Sequence, residues 1–320
     1  MSRAGLSLPS AETLILWPWG YAAIAACALA ILAAPLAAYV LLIALFGAPH
    51  VLCELRYCDE RFSARSARPV LLALGGLLGL LALIRIAQAF GALPAMSAIH
   101  AELLLGALLA AVAVAAMKKR RLIGAGLGLA VAAGAALAPL PTFLATAWLH
   151  NLTPLAFAAE IVPPAERQRV LLRLALPFLL LPALIASGLP HLLLAPAHSS
   201  LFGAGAAPFA AFLPRTLPFA EALPLFAAAV TAQAMHYFAV ILVLPRLLTA
   251  YGRSGGAPLV DWPSWPRFYG LLAIAALLVL ASYGANYPQA KSLYGVLAAL
   301  HSWIELPIFL MALGGGFRAK

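Results

Sequence analysis

Apolar stretches long enough to cross a lipid bilayer recur along the whole chain. Of the 320 residues, 65% are hydrophobic and only 9% are charged, whereas a soluble domain carries about 25% charged residues. A helix of about 20 apolar residues crosses the bilayer hydrocarbon, and within lipid only helices or closed barrels satisfy every backbone polar group. We therefore expect an all-α, polytopic transmembrane helical bundle, built as a single integral membrane domain over residues 1–320.

Prolines and glycine-rich turns divide the apolar sequence into ten expected spans. Two long apolar runs, 14–57 and 121–163, are divided mainly by proline, so the count could fall to eight. The expected spans cover residues 14–33, 36–57, 69–92, 95–117, 121–140, 142–163, 169–188, 223–246, 267–287 and 290–314.

The basic residues predict the orientation of these spans. The chain has 20 Lys and Arg residues against 10 Asp and Glu residues, and cytoplasmic loops of membrane proteins are enriched in Lys and Arg. With the N-terminus inside and ten spans, all basic residues but three fall on the cytoplasmic side. The exceptions are Arg215 and Lys291, which fall outside, and Arg85, which lies within a span. We therefore expect both termini to be cytoplasmic.

Four histidines lie within four different apolar spans. Ionisable side chains are costly inside a membrane and usually have a partner there. Neutral imidazole is the commonest metal ligand, and side chains from several helices of a bundle can meet at one point. A histidine held only by hydrogen bonds is the structural alternative. We expect a metal site formed by His50, His150, His236 and His301.

Two carboxylates accompany this set. Glu54 follows His50 by one helical turn, and Glu305 follows His301 in the same way. Residues four apart share one face of a helix, so all six groups are expected in one layer of the membrane. A carboxylate so placed can bind the metal, orient an imidazole by accepting its N–H, or carry protons. We expect Glu54 and Glu305 to orient ligands or handle protons during catalysis.

Other polar residues are expected to have supporting roles. Asn151 and Gln233 are candidate hydrogen-bond donors behind the ligands, with interhelical hydrogen bonding as the alternative. Arg85 and Glu102 flank the turn between the third and fourth spans, which predicts a local ion pair.

The segment at about 189–222 is apolar and rich in proline, yet it falls outside the spans. We expect it to form an outer cap, either interfacial or re-entrant, that lies against the mouth of the bundle and gates entry of an apolar substrate. A hydrophobic loop packed on the outer surface is the alternative.

The sequence Gly47-Ala48-Pro49-His50-Val51-Leu52-Cys53-Glu54 resembles the G-x-P-H-G-x-x-D signature of the Brp/Blh family of membrane beta-carotene 15,15'-dioxygenases. The resemblance covers these eight residues, with Val51 in place of the second glycine and Glu54 in place of the aspartate. It implies a polytopic protein of the bacterial inner (plasma) membrane. It also implies that His50 is a ligand to non-haem iron in an enzyme that cleaves a polyene.

We accordingly expect a membrane-embedded non-haem iron oxygenase that acts on an apolar lipid or carotenoid. Iron(II) would be bound by the four histidines, and the partners would be the lipid bilayer and an apolar small molecule rather than nucleic acid. The alternatives are a cation- or proton-coupled membrane transporter, a haem-b protein with paired axial histidines, and a membrane protein whose polar centre is purely structural.

Overall fold

The computed structural model describes residues 18–63, 66–194, 196–197, 200–214, 217–251 and 258–314. These residues are predominantly helical and contain no strand, which confirms the all-α prediction within the described part of the chain. The terminal residues and Arg215, on which the predicted orientation partly depends, lie outside the described residues.

The chain forms twelve α-helices in the described ranges, along with short π-helical and 3-10 segments. The α-helices are α1 (Pro18–Ala33), α2 (Pro35–Leu42), α3 (Ala48–Phe62), α4 (Arg68–Ala89), α5 (Ala95–Ala116), α6 (Arg121–Leu137), α7 (Pro139–His150), α8 (Thr153–Ile161), α9 (Pro164–Ala186), α10 (Phe219–Phe238), α11 (Leu244–Tyr251) and α12 (Trp265–Gly314). The π-helical segments Ile43–Gly47 and Ala239–Val243 join α2 to α3 and α10 to α11, and 3-10 turns cover Leu189–Leu192 and Ala207–Ala211.

Six helical stretches of the described chain are long and apolar enough to cross a membrane. Their outer surfaces are apolar, as shown by leucines such as Leu83, Leu180 and Leu277, whose exposed fractions are 63%, 61% and 64%. Exposed apolar surface of this extent suits a lipid environment and not water. The six stretches are Pro35–Phe62, Arg68–Ala89, Ala95–Ala116, Pro164–Ala186, Glu221–Tyr251 and Trp265–Gly314, with shorter apolar helices at Gly20–Ala33 and Arg121–Leu137. The count of ten spans stays a prediction.

Three helical stretches are interrupted at single residues, each near an expected span boundary. The three residues share one backbone conformation. Ala34 has φ −150° and ψ 70°, Ala138 has φ −152° and ψ 65°, and Asn286 has φ −157° and ψ 88°. Ala34 and Ala138 each precede a proline, which disfavours the helical conformation of the residue before it. Asn286 instead accepts a hydrogen bond from the backbone N–H of Gln289 at 3.3 Å, the usual bond of a helix N-cap.

The 50-residue helix α12 doubles back at Asn286. The Arg56 guanidinium lies 3.8 Å from the centre of the Trp265 ring, and His50 contacts His301. His50 and Arg56 are only about 9 Å apart along α3, at 1.5 Å per residue, whereas an unbroken helix would separate Trp265 from His301 by about 54 Å. The two halves of α12 therefore run in opposite directions.

The expected span 142–163 is not one continuous helix, because the chain breaks there into α7 and α8 around Asn151. Pro154 has no backbone N–H, so the carbonyl of His150 lacks its regular helical donor. The Thr153 hydroxyl donates to that carbonyl instead, at 2.7 Å. The break places His150 at the end of a helix.

The segment 200–214 packs against one end of the bundle, which we call the cap end. Ala204, Phe212 and Leu213 are buried there in a hydrophobic cluster. The Phe212 ring contacts the Tyr39 ring edge-on with a centroid separation of 5.9 Å, and the Phe212 carbonyl accepts a hydrogen bond from Trp148 Nε1. The segment thus covers helices that lead to the histidines; its predicted gating role stays a prediction.

Candidate metal centre

Two of the four histidines lie beside π-helical segments. The segment Ile43–Gly47 ends three residues before His50, and the segment Ala239–Val243 begins three residues after His236. Each segment ends two residues before a proline, Pro49 or Pro245. A proline lacks the N–H of the regular helix and its ring crowds the carbonyl four residues back. Such single π turns occur frequently at functional sites.

All four predicted histidines meet at one place in the interior. The Nε2 atom of His301 lies 2.9 Å from Nε2 of His50 and 3.0 Å from Nε2 of His150. The ring centre of His236 lies 4.5 Å from that of His150 and 5.4 Å from that of His50. Because the four side chains come from α3, α7, α10 and α12, the convergence depends on the packing of separate helices.

Hydrogen bonds behind the rings fix which nitrogen of each imidazole faces the centre. The Nδ1 atom of His50 lies 3.1 Å from the Phe46 carbonyl oxygen, and Nδ1 of His301 lies 3.3 Å from the Leu297 carbonyl oxygen. A carbonyl only accepts, so in both rings Nδ1–H is the donor and Nε2 of the neutral ring keeps its lone pair. This assignment follows from the hydrogen-bond network.

His150 follows the same arrangement with a carboxylate in place of a carbonyl. Its Nδ1 atom lies 2.5 Å from Oε2 of Glu305, which accepts the Nδ1–H. Its Nε2 lone pair then faces Nε2 of His301. The Nε2 lone pair of His301 thus lies about 3 Å from those of both His50 and His150, and such lone pairs repel unless a cation or proton lies between them.

Several buried atoms of the site have no hydrogen-bond partner within the described residues. They are both nitrogens of His236, both carboxylate oxygens of Glu54 and Oε1 of Glu305. The nearest approach between Glu54 and His236 is 3.8 Å, which is too long for a hydrogen bond. His236 and Glu54 are fully buried and Glu305 is 1% exposed. Unpaired buried polar groups are costly, and a bound cation would satisfy these.

The donor set suits a transition metal. Two overlapping groups have ligand atoms within 4.8 Å of one another: His50, His236 and His301 form one, and His150, His236 and Glu305 form the other. Imidazole nitrogens with a carboxylate oxygen are typical ligands of iron, zinc and copper. The geometry thus groups Glu305 with the ligand atoms themselves, whereas the sequence analysis assigned it proton handling or ligand orientation.

The two predicted supporting amides lie near the site without a side-chain hydrogen bond to the imidazoles. Asn151 Nδ2 donates to the Ala147 carbonyl of its own helix at 3.2 Å. Gln233 Nε2 donates to the Tyr237 hydroxyl at 2.7 Å. Gln233 therefore reaches the site through a tyrosine, and its supporting role stays a prediction.

Tyr237 is a site residue that the sequence analysis missed. Its ring stacks on His50 with a centroid separation of 4.1 Å and an interplanar angle of 29°. Its hydroxyl also lies 3.2 Å from the hydroxyl of Tyr294. The sequence contained one indication of this role. Tyr237 follows His236 within an apolar span, and a buried tyrosine hydroxyl needs a polar partner.

The predicted ion pair between Arg85 and Glu102 is confirmed, and it also anchors the site. Arg85 Nε lies 2.6 Å from Oε2 of Glu102, while Oε1 accepts a hydrogen bond from Trp303 Nε1 at 2.7 Å. Trp303 follows His301 by two residues and packs where Gly106 leaves room for its ring. The pair thus holds the helix that carries His301.

The chain matches no protein-family model, no curated protein and no solved structure at a significant level. Inference about function therefore depends on the geometry of this site.

Proposed function

We propose that this protein is a membrane-embedded, metal-dependent oxygenase that acts on an apolar lipid or carotenoid, with iron(II) as its metal. The observation that carries the proposal is the meeting of three inward-facing Nε2 atoms beside His236 and Glu54, in a centre whose side chains are buried except for the part-buried His150. A ferrous ion held by nitrogen and oxygen ligands supplies the chemistry of dioxygen activation.

The roles of the side chains follow from their contacts. His50, His150, His236 and His301 would bind the metal through the nitrogens that face the centre. Glu305 orients His150 through its Nδ1–H and has Oε1 available as a further ligand atom or proton acceptor. Glu54 lies one turn beyond His50 and next to the carboxyl group of Glu305, so it is placed to hold or pass a proton.

The surroundings of the site favour an apolar substrate. Buried apolar side chains such as Ile43, Val51 and Val240 lie on the helices that carry the ligands. A hydrophobic molecule could reach this region from the bilayer, and the apolar wall would exclude water from reactive species. We further propose ten spans with both termini cytoplasmic, as the basic residues predict, in the bacterial inner membrane.

A cation- or proton-coupled transporter is the second candidate. The break between α7 and α8 next to His150 favours it, because transporters commonly bind ions where membrane helices are interrupted. Against it, the four histidines and Glu305 gather in one cluster, whereas a transport path would place polar groups at intervals across the bundle.

Oxygen consumption by the purified, iron-containing protein tests the oxygenase proposal. We expect dioxygen uptake when beta-carotene or an unsaturated lipid is supplied in detergent, with a cleaved or oxygenated product identified by mass spectrometry. Iron-loaded protein that consumes no dioxygen with any of these substrates, yet moves cations or protons across vesicle membranes, would establish the transporter instead.

A further inference from the structure

A second polar cluster lies at the cap end of the bundle, apart from the histidines. We call it the tyrosine–lysine pocket and define it by Tyr39 of α2 and by Tyr283, Tyr287, Lys291 and Tyr294 of α12. The Lys291 ammonium lies near the rings of both Tyr39 and Tyr287. Tyr283 and Tyr287 pack edge-on with ring centres 5.4 Å apart. The pocket therefore brings several hydroxyl groups together in an apolar bundle.

Lys291 is the cation of this pocket. Its Nζ atom lies 5.5 Å from the ring centre of Tyr39 and 5.8 Å from that of Tyr287, within range of cation–π attraction. Among the described residues, no carboxylate lies within ion-pair distance of it. An ammonium group has three N–H donors. The faces of the Tyr39 and Tyr287 rings attract the charge but do not provide an oxygen or nitrogen acceptor for these N–H groups.

The neighbouring hydroxyls are also unpaired. The Tyr283 and Tyr287 hydroxyls are buried without a hydrogen-bond partner in the described structure, and their residues are 1% and 3% exposed. Each hydroxyl can donate one hydrogen bond. A part-buried ammonium and two buried hydroxyls thus offer donors to a single acceptor-rich group, and an oxyanion is the group with the greatest acceptor capacity and the matching charge.

The pocket connects to the histidines along α12 and through side chains. Lys291 precedes His301 by ten residues, about 15 Å of helix rise. Tyr294 contacts the Tyr237 hydroxyl, and the Tyr237 ring stacks on His50. A ligand anchored at Lys291 would therefore need an extended chain to reach the histidines.

We propose that the tyrosine–lysine pocket binds the carboxylate of an amphiphilic lipid, whose hydrocarbon chain extends toward the four histidines. This inference deepens the proposed function by naming the substrate class, a long-chain or polyene acid, and it rests on that function for the chemistry at the far end of the chain. Binding by the pocket itself is separable from the chemistry.

Binding of parinaric acid, a fluorescent polyene fatty acid, and of its methyl ester to the purified full-length protein tests the pocket. The wild type is expected to bind the acid at least about tenfold more tightly than the ester, because only the acid makes charge-assisted hydrogen bonds. Lys291→Met should abolish this preference, and Lys291→Arg should retain most of it. Lys119→Met, which removes an exposed lysine elsewhere, should leave the preference unchanged.

A double variant tests the pocket without changing Lys291, in case the lysine variants misfold. Tyr283→Phe with Tyr287→Phe keeps both rings and removes only the unpaired hydroxyls, so acid binding should weaken about three- to tenfold. Tyr269→Phe, at an exposed tyrosine, serves as its control. Equal binding of acid and ester by the wild type would overturn the pocket, as would undiminished acid preference in both Lys291→Met and the double variant.

Metal content of the same samples separates this inference from the proposed function. Loss of acid preference in Lys291→Met with metal content retained supports the pocket. A wild type without metal that still prefers the acid would overturn the proposed function and support the pocket. A metal-loaded wild type without any preference would overturn the pocket alone.

Discussion

The Nε2 atoms of His50 and His301 face each other at 2.9 Å, although each ring directs its Nδ1–H toward a carbonyl of its own helix. Each neutral ring therefore presents a lone pair to the other. His150 adds a third at 3.0 Å from the same atom of His301. A cation bound between these rings removes the repulsion, and the carbonyls that hold the Nδ1–H groups keep the rings oriented for it.

Replacing His301 should remove the metal. Its Nε2 atom contacts both His50 and His150, so His301→Ala deletes the nitrogen that the other rings share. We expect bound iron to fall below about a tenth of the wild-type content, since loss even of a partner that orients a ligand lowers metal affinity about 10–100-fold.

His100→Ala is the matched control for that variant. His100 makes the same bond from Nδ1 to the carbonyl four residues earlier, at 2.8 Å to Met96, but its ring is exposed. Its iron content should equal that of the wild type. Equal iron in His301→Ala and His100→Ala, measured by elemental analysis, would show that the site does not bind iron through His301.

Glu305→Gln should weaken metal binding without unfolding the protein. The amide keeps an oxygen near His150 Nδ1 but loses the negative charge that favours the cation and strengthens the hydrogen bond. We expect about a 10–100-fold rise in the dissociation constant for iron(II), measured by competition with a chelator. Glu166→Gln removes a carboxylate that bonds to Tyr251, and should leave the constant unchanged. An unaltered constant in Glu305→Gln would assign this carboxylate a purely structural role.

Two variants of Tyr237 distinguish the contribution of its ring to iron affinity from that of its hydroxyl. Tyr237→Phe keeps the stack on His50 and loses the bonds to Gln233 and Tyr294, so iron affinity should change by less than about threefold. Tyr237→Ala also removes the ring and leaves a cavity beside a ligand, so affinity should fall about tenfold or more. If both variants bind iron like the wild type, the stacking has no part in holding His50.

The sequence predicted the components of the centre better than its geometry. The four histidines could be recognised because ionisable residues stand out in apolar spans. The contact of Tyr237 with His50 could not be derived, since it depends on how α10 turns against α3. Glu305 was placed on the correct helix face, but its bond to His150 is made between distant segments of the chain.

The helix breaks differ in the same way. Some of them could be predicted from the local sequence, and others could not. Proline marked the boundaries at Ala34 and Ala138, because its effect on the preceding residue is local. The π turns before His50 and after His236 leave no comparable pattern of their own, although a proline follows each one. The break after His150 was missed although Pro154 lies within the run 142–163, because a proline inside a helical pattern can mark either a kink or a full break.

Gly106→Ala should destabilise the fold. A Cβ at this position would overlap the Trp303 ring, which is held in turn by its hydrogen bond to Glu102. Overpacking of this kind costs about 1–3 kcal/mol. A lower midpoint of thermal unfolding in detergent is the expected result. Gly126→Ala, in a helix where a Cβ meets nothing within 4 Å, should leave the midpoint unchanged or raise it. A Gly106→Ala midpoint at or above that of Gly126→Ala would contradict this packing.

The metal content of detergent-purified wild-type protein, measured with its optical spectrum, tests the central claim most directly. The account predicts close to one iron per chain without the Soret band of haem, and loss of that iron in His236→Ala, which removes a fully buried ring of the centre. Wild-type protein that is metal-free after purification and after incubation with iron(II), or a His236→Ala variant with undiminished iron, would contradict it.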